Sequence, residues 1–130
     1  MNIQNRKIKI AVVGSGRISK NHFGSILQLS DEYELIAICD NNPTILKQHM
    51  AEYNVPGYLS IDDLLKNEQL DLVTLCTPSG LHPSQAIKAA KSGIHVISEK
   101  PMATKWEDGL AMTKACEDAG VRLFVVKQNR

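Results

Sequence analysis

The amino-acid sequence predicts an α/β domain: a doubly wound parallel sheet of about six strands, with helices on both faces. Three observations predict it. Short apolar runs alternate with segments of helical periodicity along the chain, the pattern of strands joined by crossover helices. The first apolar run, ending Ala11-Val12-Val13, leads directly into Gly14-Ser15-Gly16 and then a helix-like stretch. The second, Leu35-Ile36-Ala37-Ile38-Cys39, closes on a carboxylate, Asp40. Strand, G-x-G turn, helix, strand and acid, in that order, begin a dinucleotide-binding sheet.

Taken in order, residues 1–6 are polar and expected to be loose, so the domain is expected to span 7–130. Ile8 to Val13 reads as the first strand, nearly continuously apolar because helices would cover both its faces. Arg17 to about Ser30 reads as a helix, with Ile18, Phe23, Ile26 and Leu27 as its inner stripe. The second strand follows from Leu35. Asn42 can cap a helix from about Thr44 to Tyr53, with Pro43 in its first turn, where a missing amide costs nothing. Tyr58 and Leu59 make a short third strand. Ser60 caps a brief helix with Asp62 and Asp63 at its favourable end and Leu64 and Leu65 on its buried side. Leu72 to Cys76 is the fourth strand, and a Pro-bounded turn leads to a helix over about Ser84 to Ser92, stopped by Gly93. Ile94 to Ser98 is the fifth strand. Thr104, with Glu107 three residues on, forms a capping box for a helix reaching Ala119; Gly120 ends it, and Val121 to Val126 is the sixth strand.

Composition narrows the functional classes. With 130 residues there is room for one domain and a real core, and 43% hydrophobic residues with only 5% aromatics suit an aliphatic α/β core. A net charge of +1, with acids and bases interleaved, argues against a nucleic-acid surface. Cys39, Cys76 and Cys116 are odd in number and lack a C-x-x-C pair, which points to a reducing compartment. No run approaches the ~20 apolar residues of a membrane span. A cytoplasmic protein that binds no membrane and no metal is expected.

The polar residues of interest fall where such sheets bind ligands, after the carboxyl ends of strands. Gly14 lets the chain turn off the first strand, and Gly16 lets a pyrophosphate approach the amides that open the helix. Asp40, 24 residues beyond Gly16, can accept bonds from a ribose diol and would repel a 2′-phosphate. NAD is therefore expected over NADP, the alternative being a solvated acid at a strand end. Pro78 and Ser79, after the fourth strand, form either a wall for a nicotinamide–ribose or simply a stiff connection. His82 could reach a ribose hydroxyl or serve as a local cap, whereas His22, His49 and His95 read as structural. Thr77 and Glu99 lie on the same rim. Lys100, held between Glu99 and Pro101, could set its ammonium over a hydroxyl being oxidised; Glu99 either orients it or faces solvent.

These motifs carry a resemblance. Gly14-Ser15-Gly16-Arg17-Ile18 with His22, then Asp40, Thr77-Pro78-Ser79 with His82, and Glu99-Lys100-Pro101 resemble the N-terminal Rossmann domain of the glucose–fructose oxidoreductase/inositol dehydrogenase family. The ending Val121 to Arg130 resembles sugar-nucleotide 3-dehydrogenases, which oxidise the C3 hydroxyl of UDP-N-acetylglucosaminuronic acid in bacterial surface-polysaccharide synthesis. The resemblance implies that Gly14, Gly16, Arg17 and Ile18 bind the pyrophosphate of NAD and Asp40 its adenosine ribose. It implies that Pro78, Ser79 and His82 border the central and nicotinamide portions, with Asn129 near the substrate side of the ring. Lys100 would contact the substrate hydroxyl and assist proton removal. The family keeps a catalytic histidine and most substrate contacts in a second α/β domain that these 130 residues do not contain. The sequence is therefore expected to be one domain of a longer enzyme, inactive alone, binding a nucleotide sugar and forming homo-oligomers only as the whole protein. Two rivals stand beside this reading: an inositol-type or biliverdin-reductase-like dehydrogenase, and a non-catalytic NAD-sensing module.

Overall fold

Apolar strands with no polar alternation must be covered on both sides, and the sheet meets that need by sorting its residues strictly by face. A computed structural model describes residues 7–14, 32–76, 82–99 and 106–126. Its elements are β1 (Ile8–Val13), β2 (Tyr33–Cys39), α1 (Pro43–Tyr53), β3 (Gly57–Tyr58), α2 (Ile61–Asn67), β4 (Leu72–Leu75), α3 (His82–Lys91), β5 (His95–Glu99), α4 (Trp106–Ala119) and β6 (Leu123–Val126). The six strands form one sheet in the order β3-β2-β1-β4-β5-β6, every neighbouring pair parallel. The doubly wound sheet expected from the sequence is present. Its order reverses direction between β1 and β4, the topological switch point at which such sheets open a crevice.

The two faces have separate cores. Ala11 and Val13 of β1 join Val73, Leu75 and Val96 under Ile61 and Leu64 of α2, Ala86, Ala89 and Ala90 of α3, and Met112 and Cys116 of α4. Ile10 and Val12 point the other way and pack with Ile38, Leu72 and Leu46 of α1. The right-handed crossover rule explains the division. The chain moves outward from β2 to β3 over one face, then returns past β1 and builds β4, β5 and β6 over the other. Three alanines from one helix let α3 lie close to the sheet. Gly57 does the same for α1: a Cβ there would sit 2.7 Å from Leu46 Cδ1 and from Met50 Cγ and Sδ.

Several boundaries differ from those expected, each for a hydrogen-bonding reason. Val121 was expected to open the sixth strand, but its N–H donates to the Cys116 carbonyl while that of Gly120 donates to Glu117. This reciprocal pair closes α4, so β6 starts at Leu123. Ile94 is taken up in the same way: its N–H donates to Ala89 and that of Gly93 to Ala90, and β5 begins at His95. Gly93 and Gly120 hold φ of 77° and 71° in these caps, the left-handed conformation glycine adopts without cost. Helix α3 begins at His82 rather than Ser84, because Pro83 is tolerated within a first turn. Strand β3 is Gly57–Tyr58, one residue earlier than expected, so Leu59 is released from the sheet. The expected caps at Asn42 and Ser60 are as read: Asn42 Oδ1 accepts from the Thr44 and Ile45 amides, and Ser60 Oγ from Asp63. The helix expected over Arg17 to Ser30, the Thr104 cap and the segment 1–6 lie outside the described residues.

His95 is structural, as read. Its Nδ1 accepts the Arg122 N–H at 2.8 Å, tying β5 to the approach of β6. Burial, then nearby positive charge including that of Arg122, holds its pKa below the usual 6.5, with Asp71 opposing. Asp71 secures the same end of the sheet by accepting the Lys9 N–H on Oδ2 at 2.8 Å.

Candidate cofactor site

Strand register decides which side chains can meet at the carboxyl edge. Val13 lies beside Cys39 on one side and Leu75 on the other, and Leu75 beside Ser98. The residues that follow, Gly14, Asp40, Cys76 and Glu99, therefore leave four neighbouring strands at one rim. This is the crevice edge on which the sequence placed its candidates.

The meeting of Gly14 and Asp40 depends on a bulge. Ile10 pairs with Leu35, but Ala11 pairs with Ala37, so β2 carries one extra residue, Ile36. Ile36 and Ala37 consequently pack on the same face, while Leu35 and Ile38 pack on the other. Were the register of Ile8 to Ile10 continued unbroken, Gly14 would lie beside Cys39 and the carboxylate would fall one residue further along. Bulges re-aim side chains in this way near binding sites.

Gly14 is buried and holds φ of 93°, a turn that an L side chain rarely adopts. Its N–H donates to the Cys39 carbonyl at 2.6 Å, and Cys76 N–H donates to the Val13 carbonyl at 2.7 Å. The chain thus leaves β1 at a defined point between its two neighbours.

Asp40 is set by two backbone contacts that the sequence reading did not find. Its own N–H donates to the Tyr58 carbonyl at 3.0 Å. Its Oδ1 accepts the Asn42 N–H at 2.8 Å, a local turn in which an aspartate bonds the backbone two residues on. Asn42 in turn caps α1 through its side chain. The carboxylate is thereby coupled to the start of a helix, half-buried at its base and beside exposed Asn41 and Asn42. The signal was legible in principle: Asp-Asn-Asn-Pro joins an aspartate turn to a proline-started helix. Tyr58 is held from beneath, its hydroxyl donating to Glu68 Oε2 at 2.6 Å, and that bond raises the phenol's pKa first, burial second.

These residues fit a dinucleotide. A glycine turn stands beside an oriented carboxylate, and neither Asn41 nor Asn42 offers a positive charge for a 2′-phosphate. The Cys39 thiol, buried one residue before Asp40, is not a rival nucleophile: burial foremost, then Asp40 and Asp63, push its pKa up to about 12. Among the described residues no group of His, Cys, Asp and Glu side chains could hold a metal, and no helix is long and apolar enough to cross a membrane. His82 is the first residue of α3 and Glu99 the last of β5. Gly16, Arg17, Ile18, Thr77, Pro78, Ser79, Lys100 and Asn129 lie outside the described residues.

Comparison with known proteins agrees with this geometry. Residues 8–127 match the model of the oxidoreductase family with an NAD-binding Rossmann fold. The chain is similar to the WlbA dehydrogenase of Bordetella pertussis, solved in complex with NADH and UDP-GlcNAcA, at 55% identity and a TM-score of 0.92, covering 93% of this chain and 37% of that one. It is similar to the WlbA dehydrogenase of Chromobacterium violaceum, solved with the same two ligands, at 49% identity and a TM-score of 0.93, covering 95% and 36%. D-apiose dehydrogenase of Paraburkholderia graminis is 34% identical over 92% of this chain and 32% of its own length. The chain thus spans about a third of the length of these relatives.

Proposed function

Since the chain belongs to the oxidoreductase family with an NAD-binding Rossmann fold, we propose that it is the cofactor domain of an NAD-dependent dehydrogenase. The proposed substrate is a UDP-linked N-acetylated hexuronic acid, oxidised at a secondary hydroxyl, C3 by resemblance. The observation that carries the proposal is high identity, along nearly the whole of this chain, to two dehydrogenases solved with NADH and UDP-GlcNAcA. The Gly14–Asp40 geometry supports the cofactor half independently of that likeness.

In this reading Gly14, Gly16, Arg17 and Ile18 hold the pyrophosphate against the start of the helix that the sequence leads one to expect after Gly16. Asp40 accepts from the ribose diol. Thr77, Pro78, Ser79 and His82 border the central and nicotinamide portions, with Glu99 beside them and Asn129 toward the substrate. When bound, NAD would supply the hydride acceptor for the carbon that carries the hydroxyl. Lys100 takes that hydroxyl's proton, or stabilises the developing alkoxide if a histidine elsewhere in the whole protein takes it. The whole protein is then cytoplasmic, where sugar nucleotides and reduced thiols occur together, and oligomerises through its second domain.

The test is NADH formation by the whole protein supplied with NAD+ and UDP-GlcNAcA. Turnover with inositols instead would favour the inositol-type reading, and NAD+ binding without turnover on any polyol would favour a sensor.

A further inference from the structure

The carboxylate proposed to take the ribose diol leans on the shortest strand of the sheet. β3 has two residues and stands at the sheet's edge, with Gly57 paired to Ile38 and Tyr58 to Cys39. Such a ladder is shorter than that of an ordinary strand. The Tyr58 carbonyl is nevertheless the acceptor that fixes the Asp40 amide, at 3.0 Å. Packing supplies part of the support: the Tyr58 ring lies half-buried against one core, and Gly57 fits closely under Leu46 and Met50 of α1 on the other face. A phenylalanine would serve that packing equally well, so the hydroxyl has a separate task.

That task is a tie to Glu68. Glu68 Oε2 accepts the Tyr58 hydroxyl at 2.6 Å, the length of a charge-assisted bond. Glu68 directly follows α2, and its N–H donates to the Leu64 carbonyl at 3.1 Å, so its backbone continues the helix's last turn. At the other end Ser60 caps α2, and the helix buries Ile61 and Leu64 in the core. The Tyr58–Glu68 bond thus closes residues 58–68 into a loop around an anchored helix. We infer that Glu68 is a positioning residue for the cofactor: through Tyr58 it holds β3 against β2 and keeps the Asp40 carboxylate preset for the ribose diol. It acts through Tyr58 rather than by contact with the cofactor. Without it the Asp40 turn would be ordered only on binding, at the expense of affinity. The inference rests on the NAD reading above.

NAD+ is titrated calorimetrically into the whole protein and its Glu68→Ala, Glu68→Gln and Tyr58→Phe variants, each also combined with Asp40→Ser, and every protein is melted. Glu68→Ala should weaken NAD+ about three- to tenfold, a fraction of the hydrogen bond to a charged group on which it acts. Tyr58→Phe, which keeps the ring and removes only the hydroxyl, should do the same with little change in melting, and it carries the test if Glu68→Ala does not fold. Glu68→Gln, whose side-chain oxygen accepts the same hydroxyl, should stay within about twofold of the parent. With Asp40→Ser in place, none of the three should weaken NAD+ by more than about twofold, since the contact they serve is gone. Unchanged affinity in Tyr58→Phe, beside normal binding by the parent, overturns the role of Glu68 alone. So does a Glu68→Gln loss as large as that of Glu68→Ala. So does an undiminished loss in the presence of Asp40→Ser, the mark of general loosening rather than of a coupled pair. A parent that binds no NAD+ overturns the NAD reading and this inference with it.

Discussion

Exchanging Asp40→Ser together with Asn41→Arg should turn the cofactor preference from NAD toward NADP. In the structure the Asp40 carboxylate sits at the end of β2 with its Oδ1 on the Asn42 N–H, 2.8 Å away. Serine keeps a shorter oxygen that can accept the same amide, so the start of α1 should survive. Asn41 is exposed, so an arginine there displaces nothing. What changes is the proposed ribose contact. A hydrogen bond to a charged group contributes about 1.5–3 kcal/mol, so NAD affinity should fall roughly ten- to a hundredfold. The introduced guanidinium supplies a planar partner for a 2′-phosphate, and the repulsion by the carboxylate is gone. NADP affinity should therefore rise. Calorimetric titration of the whole protein with both cofactors measures the ratio directly. An unchanged ratio would refute the assignment of Asp40 as the ribose acceptor, and loss of both affinities with a lowered melting point would show that Asp40 mainly holds the β2–α1 turn.

Lys100→Met in the whole protein should cut turnover by at least ~100-fold with little effect on NAD affinity, because the proposed pyrophosphate and ribose contacts lie elsewhere; single-turnover NADH formation beside an NAD titration reads both. Asn42→Ala removes the side-chain acceptor for two α1 amides, a cap worth about 1 kcal/mol, and should lower the melting temperature by about 3–5 °C. It should leave NAD affinity nearly intact, since Asp40 is bonded by the backbone amide of residue 42, which alanine retains. His95 makes stability fall with acid. Its folded-state pKa lies below the usual 6.5, so the contribution is fully present above that value. It is lost as pH drops below it, where protonation of Nδ1 breaks the bond from Arg122. Melting between about pH 7.5 and 5.5 should decline less steeply for His95→Gln, whose side-chain oxygen accepts the same amide without titrating; parallel declines would assign the pH dependence to other groups.

Local physics made much of this fold legible in the sequence. The Asn42 and Ser60 caps and the Gly93 and Gly120 stops depend on residues within one turn of each other, so the chain carries those signals whole. The G-x-G turn and the acid closing β2 are likewise contiguous patterns, and they drew attention to the carboxyl edge of the sheet. Strand existence followed from continuous apolar runs, since helices on both faces leave no room for polar alternation.

The tertiary structure decided what depends on partners distant in sequence. Leu35-Ile36-Ala37-Ile38-Cys39 is apolar throughout, so nothing in it marks Ile36 as the extra residue; only pairing with β1 does, and that bulge brings Asp40 beside Gly14. Tyr58 reads as an aromatic in a short strand, yet its carbonyl anchors the Asp40 amide because β3 happens to be the neighbour of β2. Sequence order alone does not specify that neighbour. It follows from burying two separate apolar faces with right-handed connections, a condition on the whole chain at once. The length of β6 was misjudged for a related reason: Val121 is apolar enough for a strand, but its N–H was already committed to closing α4. The sequence determined which groups were available for chemistry. Long-range hydrogen bonds and the two-sided core decided which of them share an edge.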